Sequence, residues 1–490
     1  MSIYNLPVLT GAAALQLCYP FTVMIYDSIV IGGGVTGCSV ARFLSLYDMS
    51  VILLEKEAEL CQGTSKANSG IAHAGHDPKP GTLKAALNVR GNRLLKELER
   101  PLGIDMVHNG SLVISFDSDD SKIRELYERG VKNGVADMEI LKRDEILALE
   151  GAVNPDVTWA LHLKSGSLVC PFSLTYAMAE NAEANGAVLK TDHRVVSIRR
   201  EGELYRVITD RGDFLSRCVV NASGVQADVI NDMVVPHEFS IVPKRGEYVL
   251  LDRSEGTLVR STIFRLPTEK GKGVLVTPTV HGNLLVGPDS MTLSDREDTS
   301  TVGAGLEAVM ESAVKSVPGL NFRKIITSFA GLRASTPSGD FILNEPAPGF
   351  YNAAAIDSPG LTASPAIGEY IAHRISERLK TGKKLSPVLE RRPIPRPALM
   401  DMKERNELIG RDDSYGRIIC RCEEISEGEI REAVRRGATT LDGVKRRVRA
   451  GMGRCQGGFC TPAVMEIIAS ERGVSMKDVR KSTKGSEVLV

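Results

Sequence analysis

The chain has 490 residues, 42% of them hydrophobic and 25% charged, enough for about two to four domains around large buried cores. Its 61 basic residues balance its 61 acidic ones and aromatics make up only 5%, which excludes nucleic-acid binding by bulk charge or by base-stacking surfaces. No apolar run reaches the roughly 20 residues that span a bilayer, so no integral membrane segment is expected.

Residues 1–23 are mildly apolar but lack a basic start, and a strand follows at once, so they are expected to be an extension rather than a signal peptide, with Met24 the natural beginning. YDSIVI, 26–31, is a short apolar strand running into glycines; ARFLSL has helical spacing, and SVILLEKE reads as a second buried strand, completing a βαβ unit. GTLKAALNVRGNRLLKELERPLG is a long helix, GSLVISF a strand, and 118–149 two surface helices. From about 190 the pattern turns strand-rich. VVSIRREGELYRVITDRGDFLSRCVVNASG reads as a meander returning to the first domain, and about 240–325 as a separate mixed sheet. A strand, a glycine turn and a helix follow in FYNAAAIDSPGLTASPAIGEYIAHRI, so the first domain is assembled from about 24–110, 150–240 and 325–375. The Pro-rich basic stretch within 376–415 is expected to be a partly extended linker, and 416–490 a compact helical module. The expected class is mixed α/β: a Rossmann-like domain of discontinuous segments, a β-sheet substrate domain and a small helical C-terminal domain.

Nine cysteines without secretory features point to a reducing compartment, and the odd total argues against a complete disulfide framework. Cys18, Cys38, Cys61, Cys170 and Cys218 are scattered and read as small core residues.

Gly32-Gly33-Gly34-Val35-Thr36-Gly37 fits the G-x-G-x-x-G fingerprint between a strand and a helix. Gly32 permits the tight turn, Gly34 lets the backbone approach a pyrophosphate, and Gly37 lets helix and strand pack closely. The helix N-terminus offers that anion free N–H groups, and Glu55, followed by Lys56, ends the next strand at the spacing of an acidic ribose clamp. The fingerprint alone does not separate FAD from NAD. The next segment, GTSKANSGIAHAG, resembles the flavin-contacting turn of the D-amino-acid-oxidase-like superfamily of FAD oxidoreductases. That resemblance implies flavin contacts at Thr64, Ser65, Asn68 and Ser69. Val195 in HRVVSI resembles the adenine-side residue, Ala222 and Gly224 in NASGVQAD the second pyrophosphate-side turn. Arg333 in AGLRAST and Gly360, Leu361 and Thr362 in DSPGLTAS resemble the C-terminal flavin and substrate motifs. The resemblance covers about 24–375.

The last 75 residues carry C-x-C, 32 residues, then C-x4-C: Cys420, Cys422, Cys455 and Cys460. Thiolates are soft ligands suited to iron–sulfur clusters or zinc, and a [2Fe–2S] centre needs four of them. Glycines in GMGRCQGGFC can bring backbone N–H groups to the sulfurs. Zinc could use the same four. The segment resembles a bacterioferritin-associated-ferredoxin-type domain, and its CQG-x-x-C string resembles the C-terminal module of the anaerobic glycerol-3-phosphate dehydrogenase large subunits. This implies a [2Fe–2S] cluster.

Oxidation of a C–OH group needs a base within reach of the hydroxyl. Of eight histidines, His73 and His76 flank the flavin turn, and His73 stands where the resemblance places its H-x-G histidine. An anionic substrate needs a fixed cation; Arg333 and Arg245, in the KRGEY string with Tyr248, are the candidates. Lys84 reads as a helix-surface residue, and Lys445-Arg446-Arg447-Val448-Arg449 as a solvated face or a docking patch for an acidic partner. The resemblance implies oxidation of sn-glycerol 3-phosphate to dihydroxyacetone phosphate, with hydride passing to FAD and electrons leaving through [2Fe–2S] to an electron-accepting subunit, a flavoprotein or quinone-linked protein. It implies a cytoplasmic location, with any membrane association through partner subunits. The final turn, Gly360-Leu361-Thr362, lacks the lysine of aerobic relatives and resembles both the 2-hydroxyglutarate oxidoreductases and the cluster-bearing glycerol-3-phosphate dehydrogenase-like proteins. A 2-hydroxy acid, an amino acid or opine, or a purely electron-transferring role therefore stay open.

Overall fold

The computed structural model describes residues 24–266 and 273–489; the expected extension, 1–23, lies outside them. Strand Ile25–Ile31 is parallel both to Val51–Leu54 and to Gly212–Asn221, with Ile29 facing Ile52 on one side and Val219 on the other. Helices cover this sheet, so its central strands are apolar on both faces and read as unbroken hydrophobic runs rather than alternation. Seven strands take part. The meander Val195–Glu201, Leu204–Thr209 and Gly212–Asn221 closes one side, Val188–Lys190 the other, and Phe350–Asn352 adds in parallel to Gly212–Asn221. Helices Val35–Ser45, Leu83–Leu102, Pro171–Ala184 and Gly360–Leu379 pack together into the largest core.

The second sheet has nine strands and reaches further along the chain than the 240–325 expected for it. Thr262–Arg265 pairs in parallel with Ser111–Ser115, which carries Trp159–Leu163 and Met138–Lys142 beyond it. Long-range parallel pairing of this kind leaves no local turn signal. At the other side Val242–Leu251 pairs antiparallel with the whole of Ile325–Ser335. Gly331 in that strand allows the two sheets to meet: a Cβ there would lie 2.1 Å from the Ala67 carbonyl oxygen in the turn below. Helices Ser121–Asn133 and Arg143–Leu149 occupy the 118–149 segment, as expected.

The stretch after Leu379 is not a loose spacer. It is extended, because its prolines cannot continue a helix, and it is tied along its length. The Val388 N–H donates to Asn185 Oδ1 at 2.8 Å, Arg391 pairs with Glu180 at 2.7 Å, and Arg396 holds both oxygens of Asp105 at 2.8 Å. A capping box at Asp401 and Glu404 then starts helix Met402–Arg411.

The C-terminal module joins a hairpin, Ile418–Cys420 with Ile425–Ser426, to helices Glu427–Arg435, Leu441–Val448 and Thr461–Arg472 around its own core. Its seat on the body centres on Glu59, only 1% exposed. That carboxylate accepts from the backbone N–H groups of Thr439 and Thr440 at 2.7 and 3.1 Å and pairs with Arg447 at 3.0 Å. The Arg447 guanidinium lies 4.0 Å over the Tyr176 ring. This corrects the reading of 445–449 as a solvated or docking face: Arg446 and Arg447 point inward, and Arg449 pairs with Glu423. Removing one partner of a buried pair strands the other charge, at a cost of about 3–5 kcal/mol. Arg447→Met is expected to destabilise the protein by that order in denaturant unfolding.

Candidate active site and cysteine centre

A cavity of about 1960 Å³ runs between the two sheets. One end lies beyond the carboxyl ends of the parallel strands, where open α/β sheets bind nucleotides. Gly32, with φ of 110°, turns there; a side chain on it would lie 2.4 Å from the Ala222 carbonyl oxygen. Gly37 does not line the cavity but sits beneath this turn, where a Cβ would meet Gly32 O at 1.9 Å. Gly34 lines the floor, and the next residue, Val35, donates its N–H to Ser65 Oγ at 2.9 Å. Glu55 accepts from the Gly33 N–H at 2.6 Å and the Glu57 N–H at 2.9 Å, and burial pushes its carboxyl upward. Lys56 lies at the rim beside Glu57 and Glu297. Val195, Ala222 and Gly224 line the same end.

At the other end the turn 64–73 meets the second sheet. Thr64 donates its hydroxyl to Leu332 O at 2.5 Å, Asn68 Nδ2 donates to Ser65 O at 2.9 Å, and Ser69 Oγ lies 3.4 Å from the Tyr248 hydroxyl. His73 lines the cavity with its ring 5.8 Å from that of Phe264, and its N–H donates to Thr362 Oγ1 at 2.9 Å. Thr362 itself is fully buried and off the cavity, where it fixes the backbone of 71–73. Gly360 and Leu361 line the cavity at the N-terminus of a 20-residue helix, a favourable place for negative charge. His76 is buried outside the lining.

Arg333 lines this end and donates to Asp289 O at 3.2 Å. Arg245 does not line it, which corrects its reading as a substrate cation. Alternate residues of a strand face opposite ways, so Lys244, Gly246 and Tyr248 turn one way and Arg245 and Glu247 the other. Arg245 is 3% exposed and bound to Asp298 at 2.7 Å and Glu247 at 3.4 Å. Lys84 departs from expectation in the opposite sense. It lines the cavity, 2.5 Å from Asp357, instead of lying on a helix surface. Lys244, which the sequence reading did not single out, lines the cavity instead, and the alternation of KRGEY was the signal for it.

In the C-terminal module the four sulfurs form two close pairs. Cys422 and Cys455 are 3.6 Å apart, and Cys420 is hydrogen-bonded to Cys460, whose thiol holds it well below the ordinary thiol range. Tetrahedral zinc with four thiolates needs every sulfur about 3.8 Å from every other. Among the described residues no three cysteines come together within 4.8 Å of one another. Two pairs, one for each iron, fit a [2Fe–2S] centre better than one tetrahedron. The Gly451 N–H points at Cys420 Sγ from 3.5 Å, and N–H groups of Phe459, Gly457 and Gly458 serve Cys455. Such donors suit cluster sulfur. Cys420 and Cys460 are buried; Cys422 is exposed.

Fingerprint, acidic strand end and sandwiched cavity define a dinucleotide-cofactor oxidoreductase with a thiolate centre appended. The chain belongs to the FAD dependent oxidoreductase family, DAO, whose model matches residues 27–374. A BFD-like [2Fe-2S] binding domain matches 418–470, so the cofactors are FAD and a [2Fe–2S] cluster. The chain is 46% identical to a glycerol 3-phosphate dehydrogenase of Caloramator mitchellensis over 95% of its own length and 98% of the relative. The FAD-bound, dithionite-reduced L-α-glycerophosphate oxidase of Mycoplasma pneumoniae matches with a TM-score of 0.71 at 31% identity, covering 75% of this chain and 98% of that one. Mitochondrial L-2-hydroxyglutarate dehydrogenase of Bos taurus is 28% identical over 59% of this chain and 66% of its own.

One further grouping resembles a metal seat: Asp105, Cys170 and His281 hold ligand atoms within 4.8 Å of one another. Both Asp105 oxygens are taken by Arg396, and desolvation together with the Arg449 charge pushes His281 down to about 3. The grouping is an ion-pair knot with a neutral imidazole. A histidine depressed in the fold stabilises it above its unfolded value near 6.5, and this contribution is lost as pH falls. His281→Gln is expected to flatten the fall in unfolding free energy between about pH 6.5 and 4. Gly37→Val should leave the purified protein without bound flavin, read as flavin per chain after gel filtration.

Proposed function

We propose that the chain is an FAD-dependent dehydrogenase of sn-glycerol 3-phosphate, forming dihydroxyacetone phosphate and passing electrons through its [2Fe–2S] centre to a partner protein. The observation that carries this reading is the likeness to the Caloramator dehydrogenase, which extends over flavin body and cysteine module alike. FAD, when bound, accepts a hydride equivalent, and the cluster carries single electrons.

The roles proposed for this chain's own residues are supported by where those residues line or flank the cavity. Gly32, Gly34, Glu55, Ser65, Ala222 and Gly224 hold the nucleotide half of the cofactor, and Ser69, Gly360 and Leu361 border its ring. His73 accepts the C2 hydroxyl proton, with its backbone anchored on Thr362. Arg333 offers a planar fork to the substrate's anionic group. The acceptor is assigned to the exposed edge of the cluster, where Cys422 reaches solvent and Phe459 is 89% exposed. No helix among the described residues is long and apolar enough to cross a membrane.

The Gly360-Leu361-Thr362 turn, which resembles that of 2-hydroxyglutarate oxidoreductases as well, keeps a second reading in play, oxidation of L-2-hydroxyglutarate. The two are separated by mixing anaerobic protein with each compound and following the flavin band. Glycerol 3-phosphate is expected to bleach it and L-2-hydroxyglutarate to leave it; the reverse would overturn the proposal. His73→Asn is expected to slow the bleaching by about a hundredfold to ten-thousandfold while flavin stays bound.

A further inference from the structure

Lys244 and Arg333 stand directly opposite one another where Val242–Leu251 pairs with Ile325–Ser335. Directly opposed residues of an antiparallel pair have Cβ atoms about 5 Å apart, and like charges there are destabilising. Both line the cavity, and both are only partly buried. Neither side chain lies within 4.0 Å of a carboxylate among the described residues: Arg333 donates to a backbone carbonyl, and the Lys244 side chain makes no hydrogen bond or ion pair with any of them.

The surroundings sharpen the contrast. Two other cations of the same cavity are neutralised, Lys84 by Asp357 and Arg296 by Asp228. The nearby Asp289 spends Oδ1 on the Glu247 N–H rather than on either cation. Gly246, two residues from Lys244 on the same face, has no side chain, and that space is filled by Arg333: a Cβ at 246 would lie 2.4 Å from Nη2. The absence of a side chain at 246 therefore lets the guanidinium lie along the cavity wall. Two cations directly opposed on neighbouring strands, with no counter-charge among the described residues, call for an anion from outside.

We propose that Lys244 and Arg333 together form the seat of a phosphoryl dianion, with Lys244 the residue that makes the site select a phosphate ester over a neutral polyol or a monocarboxylate. The division of labour is chemical. The guanidinium supplies a flat fork to two oxygens, and the ammonium supplies a mobile point charge to the third. This deepens the reading of the substrate as glycerol 3-phosphate and rests on it for the ester's identity, though not for the anion seat.

The test uses the FAD-loaded enzyme, wild type, Lys244→Gln and Lys244→Arg. Inorganic phosphate is titrated into each oxidised protein and read from the perturbation of the flavin spectrum; glycerol 3-phosphate is then added anaerobically and bleaching followed. Lys244→Gln is expected to weaken phosphate binding by about tenfold to a hundredfold and to raise the half-saturating glycerol 3-phosphate concentration by a similar factor. The limiting bleaching rate should stay near wild type, and Lys244→Arg should recover most of the affinity. Phosphate binding unchanged in Lys244→Gln, or no phosphate binding by the wild type, would overturn the seat. Phosphate binding that depends on Lys244, in a wild type that glycerol 3-phosphate does not bleach, would uphold the seat and overturn the substrate reading instead.

Discussion

A carboxylate with no access to water, Glu59, is the constraint on which the arrangement of the two cofactor regions depends. It sits four residues past the ribose-side Glu55 and receives the backbone N–H groups at the start of helix Leu441–Val448 and the guanidinium of Arg447. A charge so placed is satisfied by the module or left stranded, so separating the module from the body carries a large cost. Further pairs surround this node and fix its rotation: Asp252 with Arg454 at 2.9 Å, Arg253 with Glu423 at 2.6 Å, Glu180 with Arg436 at 3.0 Å. Two of these involve neighbours of the cluster cysteines, so the same contacts that hold the module also hold its ligand loops.

The basic stretch 445–449 thus serves the interior of the molecule rather than a partner. That reassignment moves the expected point of electron exit away from a charged helix and onto the cysteine loops themselves. There the buried pair, Cys420 and Cys460, faces the protein, and the pair containing Cys422 faces solvent. A thiolate centre with one side inward and one side outward suits the proposed delivery of electrons to a protein acceptor.

Much of the cofactor end was legible in the sequence because its physics is local. A glycine that must turn at φ of 110°, a glycine under it and an acid at the end of the next strand are all fixed by short-range sterics and hydrogen bonding. The cysteine spacing was legible for the same reason. What failed depended on direction or on distance along the chain. Arg245 and Lys244 are adjacent, and choosing between them requires the parity of a strand whose two faces both carry charges. Lys84 looked like a surface lysine because its partner, Asp357, is more than 270 residues away. The enlargement of the second sheet by 111–163 rests on a parallel pairing with Thr262–Arg265 that no turn announces. The proline-rich strap was correctly extended, but its anchors, Asp105, Glu180 and Asn185, lie far upstream.

The central claim is that one chain takes electrons from a small anionic alcohol at its flavin and delivers them to its own cluster. Freezing the anaerobic enzyme at intervals after mixing with glycerol 3-phosphate, with no partner present, and recording electron paramagnetic resonance tests this directly. The account predicts that the signal of a reduced [2Fe–2S] centre grows as the flavin bleaches. A bleached flavin beside a cluster that stays oxidised and silent would contradict it.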